Sequence, residues 1–127
     1  MILCVVDDLI FSIKISTAAK ALGTDVFFER NPDMVLARIR EKQPSLVIFD
    51  LNSAKLRPLD MIAAVKATPD LTAIWTLGYV SHVHKDVIDA ARAAGIDEVL
   101  ARSAFSSRLG EILTTRPTTR ARQDRSE

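Results

Sequence analysis

Ile2-Leu3-Cys4-Val5-Val6-Asp7-Asp8 and Leu46-Val47-Ile48-Phe49-Asp50 decide the fold, because each is a short apolar run that ends in aspartate. Runs of this composition are typical of strands buried on both faces of a parallel sheet. Ligands of such sheets bind beyond the carboxyl ends of the strands. Carboxylates gathered at one edge repel one another unless a cation or a proton lies among them. The two segments therefore predict an acidic pocket at that edge.

Strand-like and helix-like patterns alternate along residues 1–115. Strands are predicted at 2–6, 25–29, 46–49, 73–77 and 98–101, and helices at 10–22, 32–42, 59–67, 84–94 and 105–114. Because crossovers between parallel strands are right-handed and cover the faces of the sheet, the alternation predicts a doubly wound α/β domain with five helices. Its size suits the flavodoxin-like strand order 2-1-3-4-5, which makes the first and third strands neighbours and brings Asp7, Asp8 and Asp50 together.

Composition narrows the function classes. The 127 residues suit one domain, and a net charge of +1 indicates no preference for nucleic acid. The single cysteine, Cys4, lies in a predicted strand and is expected to be a packed, reduced thiol. No apolar stretch is long enough to span a bilayer and no signal-peptide start is present, so a cytoplasmic protein without membrane contact is expected.

The last segment, residues 116–127, differs from the rest of the chain. It holds four arginines and two acidic residues but no large apolar side chain. This composition predicts a mobile basic tail after a domain of residues 1–115. The interspersed acids make direct DNA binding an unfavoured reading.

Residues 1–115 resemble the receiver domain of bacterial two-component response regulators. The resemblance implies that Asp7, Asp8, Asp50 and the backbone carbonyl of Asn52 hold Mg²⁺. It also implies that Asp50 accepts a phosphoryl group from a histidine kinase or a phosphotransfer protein. Hard oxygen ligands suit Mg²⁺, and a carboxylate beside the metal is a usable nucleophile. The protein would then signal through contact with a downstream protein or as a homodimer, rather than act as an enzyme.

Several residues depart from the pattern of that family. The resemblance implies that Gly78, Ser81 and Arg102 are the phosphoryl-contacting or switch positions. Gly78 is interpreted as taking the place of the family's usual Thr or Ser, whose hydroxyl bonds the phosphoryl group, with Ser81 as the nearest hydroxyl. Arg102 replaces the usual Lys, and its planar fork is not equivalent to an ammonium group. Ser103 replaces the following proline, which predicts a trans peptide bond. Val99 replaces the aromatic switch residue.

Two functions therefore remain open. One is a phosphorylated receiver. The other is a pseudo-receiver that binds a protein without phosphorylation, through a face of the fourth helix, fifth strand and fifth helix that carries Tyr79 and Val99. Asp8 alone also fits a capping residue of the first helix.

Enzymes of similar topology fit the sequence poorly. A haloacid-dehalogenase phosphatase needs a second acid where Asn52 lies. A flavodoxin needs a phosphate-cradling loop where Asp7 and Asp8 would repel phosphate.

Overall fold

The structure of the protein, a computed structural model, describes residues 1–81 and 84–125, with side chains up to residue 117. This range contains five strands and six helices. They are β1 (Ile2–Val5), α1 (Leu9–Leu22), β2 (Val26–Phe28), α2 (Val35–Lys42), β3 (Leu46–Asp50), α3 (Pro58–Ala67), β4 (Trp75–Val80), α4 (Lys85–Ala93), β5 (Glu98–Ala101), α5 (Arg102–Ser107) and α6 (Leu109–Arg125). Short 3₁₀ turns lie at Pro32–Met34, Ala54–Leu56 and Pro69–Leu71.

The five strands form one parallel sheet in the order β2-β1-β3-β4-β5. This order confirms the predicted flavodoxin-like topology. The number of helices was predicted wrongly, because the segment expected to form one last helix holds two. Arg108, with φ −107° and ψ 14°, leaves the helical region and separates α5 from α6.

Helices cover both faces of the sheet, and the strands alternate between them. Ile48 packs in the apolar cluster beneath α1 and α6, whereas Phe49 packs in the cluster beneath α2 and α3. Because successive strand side chains point to opposite faces, Asp50 lies on the α1 and α6 side. Within the described residues, no helix has the length and apolar character needed to cross a bilayer.

The limits of β4 differ from those predicted. The strand was expected to end at Leu77, but it runs from Trp75 to Val80. Its register with β3 pairs Phe49 with Gly78 and Asp50 with Tyr79. The residue beside Asp50 on the neighbouring strand is therefore Tyr79.

Helix α1 begins where an aspartate supplies its cap. The Asp8 side chain accepts a hydrogen bond from the backbone N–H of Phe11 (3.1 Å), which satisfies one of the free donors of the first turn. Gly23 ends the helix with φ 68°, a left-handed conformation that glycine adopts without steric cost.

Helix α6 continues past the expected end of the domain. The Arg116 side chain, 13% exposed, binds Glu98 through two contacts of 2.6 and 2.8 Å and Glu111 at 2.7 Å. These bonds hold the pKa of Glu98 below its usual value. Arg116 thus packs on the domain, one residue beyond the predicted boundary. The side chains from 118 onward lie outside the described residues, so the mobile tail stays a prediction.

Candidate functional site

Three acidic residues lie at the carboxyl edge of the sheet. Asp50 is the last residue of β3, and Asp7 and Asp8 follow β1, the strand that pairs with β3. Asp50 is 5% exposed, whereas Asp7 and Asp8 are half-buried. The pocket lies where the chain changes direction within the sheet, which is the usual place for a ligand in this topology.

Asp50 is a buried carboxylate with little compensation for its charge. Its Oδ1 accepts a hydrogen bond from the backbone N–H of Asn52 at 2.9 Å. No Lys, Arg or His within the described ranges lies at ion-pair distance from it. Burial raises the pKa of Asp50, and the hydrogen bond from Asn52 opposes this rise only in part. The side chain is thus left in need of positive charge or of a proton.

Asp8 has both carboxylate oxygens engaged. Oδ1 caps α1, as one of the two sequence interpretations expected, and Oδ2 accepts a bond from Arg102 Nη2 at 2.6 Å. The Arg102 guanidinium also lies over the ring of Phe11, with 4.5 Å between its Cζ and the ring centroid. Arg102, predicted to contact a phosphoryl group, therefore binds an acid of the pocket.

The donor atoms suit a hard divalent cation, but the carboxylates are not gathered around a common point. Asp7 Oδ2 lies 3.8 Å from the ammonium group of Lys55. Among the described residues, no three acidic, histidine or cysteine side chains are close enough to share a metal. Arg102 and Lys55 supply positive charge instead. A metal ion at Asp8 would first require Arg102 to leave.

Tyr79 lies beside Asp50 on the neighbouring strand. It is 1% exposed, and its ring is stacked between Phe11 and Phe105 with centroid distances of 5.0 and 4.7 Å. The hydroxyl has no hydrogen bond of good length and angle among the described residues, and it interacts only weakly with Asp50. Burial, followed by the charge of Asp50, raises the pKa of Tyr79. Tyr79 is therefore a core residue, and its assignment to the predicted partner face is wrong.

Gly78 lies on the opposite face of the sheet from Asp50. A Cβ at this position would lie 2.7 Å from Leu51 Cδ1 and 2.9 Å from Ile96 Cδ1. The interpretation of Gly78 as the residue beside the phosphoryl group is therefore wrong. If the end of β4 had been predicted correctly, the alternation of side chains along the strand would have placed Tyr79, rather than Gly78, beside Asp50.

The remaining predicted residues lie around the pocket. The backbone N–H of Ser81 donates to Asn52 Oδ1 at 3.1 Å, and Ser81 and Arg102 line one cavity of about 360 Å³. Val99 is half-buried and packs against the cluster beneath α2 and α3. No peptide bond in the described part of the chain is cis, as predicted for the bond before Ser103. The role of the Asn52 carbonyl stays a prediction.

Comparison with known proteins identifies the fold. No protein-family model and no curated protein sequence matches the chain. Its structure is similar to response regulator Rcp1 in the Mn²⁺-bound form (20% identity, TM-score 0.76, 90% of this chain and 94% of that chain covered). It is also similar to the phosphorylated cyanobacterial phytochrome response regulator RcpA (23%, 0.73, 88% and 86%).

A third neighbour is the receiver domain of the sensor histidine kinase PA1611 from Pseudomonas aeruginosa PAO1, with a magnesium ion coordinated in its active site cleft (16%, 0.78, 91% and 95%). At identities this low the likeness concerns the fold. The chain therefore has the fold of response regulator receiver domains.

Proposed function

We propose that this protein is a receiver-type phosphoacceptor, in which the Asp50 carboxylate accepts a phosphoryl group. The observation that carries the proposal is a buried carboxylate without a cationic partner in the described structure, at the end of β3 in a receiver fold. Such a group is an available nucleophile once positive charge offsets the repulsion between it and the incoming phosphoryl oxygens. The strand-end position leaves room for the phosphoryl group outside the sheet.

A divalent cation, with Mg²⁺ as the first candidate, would be held by Asp7, Asp8, Asp50 and the backbone carbonyl of Asn52. Metal-bound receivers among the structural neighbours support this part of the proposal. When bound, the cation supplies charge neutralisation on the transferring phosphoryl group. The carboxylates of this chain contribute hard oxygen ligands, which Mg²⁺ prefers.

Arg102 is the mobile charge in this scheme. It would leave Asp8 if a cation bound there, and its guanidinium would then be free to bind oxygens of a phosphoryl group on Asp50. Guanidinium groups bind phosphate oxygens through two parallel hydrogen bonds, which makes this exchange favourable. The pair with Asp8 keeps the side chain close to the site before the exchange.

The phosphoryl donor in this proposal is a histidine kinase or a phosphotransfer protein, and the output is contact with another protein. Asp50 is a substrate group rather than the centre of a turnover enzyme. The chain's own contribution is limited to positioning Asp50 and stabilising charge during its modification.

The test is phosphorylation by a small donor. The protein is incubated with acetyl phosphate and Mg²⁺, and the intact mass is measured. A mass increase of one phosphoryl group is expected in the unmodified sequence and not in Asp50→Asn. The matched control is Asp70→Asn, at an exposed acid before β4 and thus at the opposite edge of the sheet. Absence of the mass increase in the unmodified protein, with beryllofluoride also unbound, would contradict the proposal.

A phosphorylation-independent binding module is the second candidate. The ion pair between Arg102 and Asp8 favours it, because the pocket already neutralises part of its charge without a metal. This candidate predicts that a partner isolated with the protein still binds Asp50→Asn with unchanged affinity. The receiver proposal predicts that phosphorylation changes this affinity and that the variant no longer responds.

A further inference from the structure

We infer that the Tyr79 hydroxyl is the hydroxyl of this pocket that binds the phosphoryl group, by donating a hydrogen bond to one of its oxygens on Asp50. The inference rests on the proposed function of Asp50. It replaces Gly78 and Ser81 with a residue that sequence reasoning had placed elsewhere. No bond is made or broken by Tyr79, so its role is binding and positioning.

The first support is placement. Tyr79 is paired with Asp50 in the register of β3 and β4, so the two side chains rise from the same face of the sheet. The hydroxyl of Tyr79 is near enough to the Asp50 carboxylate to interact with it weakly. The charges of Asp50, Asp8 and Arg102 all act on this hydroxyl, which places it among the polar groups of the pocket.

The second support is the unmet hydrogen-bonding need of that hydroxyl. It is buried and lacks a well-formed hydrogen bond in the described structure. Buried polar groups are nearly always paired, because an unpaired one costs its full desolvation penalty. Among the buried side-chain donors and acceptors described, Tyr79 is the one left in this state. A phosphoryl oxygen on Asp50 would supply the missing acceptor.

The third support is rigidity. Stacking between Phe11 and Phe105 fixes the plane of the ring, so the hydroxyl needs little reorganisation to meet an anion. Ser81, by contrast, is only half-buried, on the loop that follows β4.

The variant Tyr79→Phe tests the inference because it removes the hydroxyl and keeps the stacked ring. Binding of beryllofluoride, an acyl-phosphate mimic, is titrated in Mg²⁺. Its affinity is expected to fall about tenfold or more in Tyr79→Phe, as for loss of a hydrogen bond to a charged group. Ser81→Ala removes the other hydroxyl near the pocket, and a larger loss of affinity in Ser81→Ala than in Tyr79→Phe would assign the phosphoryl contact to Ser81 and overturn the inference. Equal affinity in Tyr79→Phe would overturn the inference while leaving the phosphoacceptor function standing.

Two further measurements separate binding from structure. Tyr79 is the sole tyrosine of the sequence, so uniform labelling with 3-fluorotyrosine gives one ¹⁹F resonance from this site. That resonance should shift when beryllofluoride binds. In the free protein, Tyr79→Phe should be at least as stable as the unmodified sequence, because no satisfied hydrogen bond is lost. A clear loss of stability would assign the hydroxyl a structural partner and overturn the inference.

Failure of the proposed function gives a different pattern. In that case the unmodified protein itself binds no beryllofluoride with Mg²⁺ and its ¹⁹F resonance does not move. Both the function and the inference that rests on it would then be overturned.

Discussion

Asp50 and Asp97 are two inward-facing aspartates at opposite edges of the same sheet, and their surroundings differ. Asp97 lies just before β5, and its Oδ2 accepts bonds from Lys66 Nζ (2.7 Å), from the Thr76 N–H (2.8 Å) and from the Thr76 hydroxyl (3.0 Å). Lys66 also donates to the carbonyl of Ile74 at 3.0 Å. The side chains of Asp97 and Lys66 are each 15% exposed.

Asp50 receives far less compensation although it is more deeply buried. Asp50 accepts one hydrogen bond of good geometry, from the backbone N–H of Asn52. The hydroxyl of Tyr79, its partner in the strand register, is poorly placed to donate another. The comparison separates two uses of a buried acid. Asp97 joins the start of β5 to α3 and β4, and its charge is balanced inside the protein. The charge of Asp50 is not neutralised by the described side chains, so a bound cation or a proton would have to neutralise it. Such local cost to stability is typical of functional sites.

The largest expected effect is the removal of Asp97. Asp97→Ala leaves the buried Lys66 ammonium and the Thr76 donors without their acceptor, so we expect a loss of about 3 kcal/mol in the free energy of unfolding. Urea unfolding followed by circular dichroism measures it. Asp89→Ala, at an exposed position of α4, is the control and should change stability by no more than about 0.5 kcal/mol.

A loss as small as that of the control would show that the network around Asp97 contributes no net stability. The contrast between the two edges would then be one of geometry without energetic consequence.

Asp50→Asn should act in the opposite direction. The substitution removes a poorly compensated buried charge and keeps an acceptor for the Asn52 N–H, so we expect a gain of about 1 kcal/mol at neutral pH without metal. Thermal unfolding in the presence of EDTA measures this gain. A clear destabilisation would indicate that the Asp50 charge is already balanced and would remove the contrast with Asp97.

The gain from Asp50→Asn should depend on pH. The pKa of Asp50 is raised in the folded protein above its unfolded value near 3.8. Below the unfolded pKa both states hold the proton and the penalty is absent. As pH rises through the folded pKa, the folded state loses stability relative to the variant.

The stability difference between Asp50→Asn and the unmodified protein should therefore be small near pH 3.5 and grow as pH rises from about 4. Urea unfolding of both proteins over this range measures it. The lowered pKa of Glu98 acts with the opposite sign, but it is common to both proteins and cancels. A difference that is constant with pH would contradict the assignment to Asp50.

The smallest expected effect concerns Arg102. Arg102→Gln frees Asp8 from its ion pair, which is worth at most about 1 kcal/mol because Arg102 is 43% exposed. Mg²⁺ should then bind up to about fivefold more tightly, as measured by calorimetry at low salt. Arg108→Gln, which removes a charge paired with Glu111 on α6, is the matched control and should leave Mg²⁺ affinity unchanged. Weaker Mg²⁺ binding in Arg102→Gln would show that the guanidinium supports the site rather than competes for it.

The fold could be predicted because its signals are local. The strands that end near Asp8 and Asp50 are visible as short apolar runs, and the helices between strands are visible as apolar residues at helical spacing. Both patterns can be read from residues that are close together in the sequence. The topology then placed the acids at one edge. The capping role of Asp8 was also visible, because it depends on a residue and the turn that follows it.

The inner arrangement of the pocket could not be predicted in the same way. Arg102 binds Asp8 from 94 residues away, and no local pattern records such a pair. The end of β4 was missed because glycine at position 78 is typical of a strand end, whereas here it allows close packing inside the strand. Because the predicted strand ended three residues too early, Tyr79 was not recognised as the residue beside Asp50. The break at Arg108 gave no local signal either, since arginine is an ordinary helix former.

Gly78 also limits how this sequence can vary. Any larger side chain there meets Leu51, the residue directly after Asp50, and Ile96 before β5. Alanine at position 78 would therefore press on the side chains of Leu51, which directly follows Asp50, and of Ile96. A smaller residue at position 51 is consequently expected to relieve only part of the crowding caused by a larger one at 78, because Ile96 still lies 2.9 Å from the added Cβ.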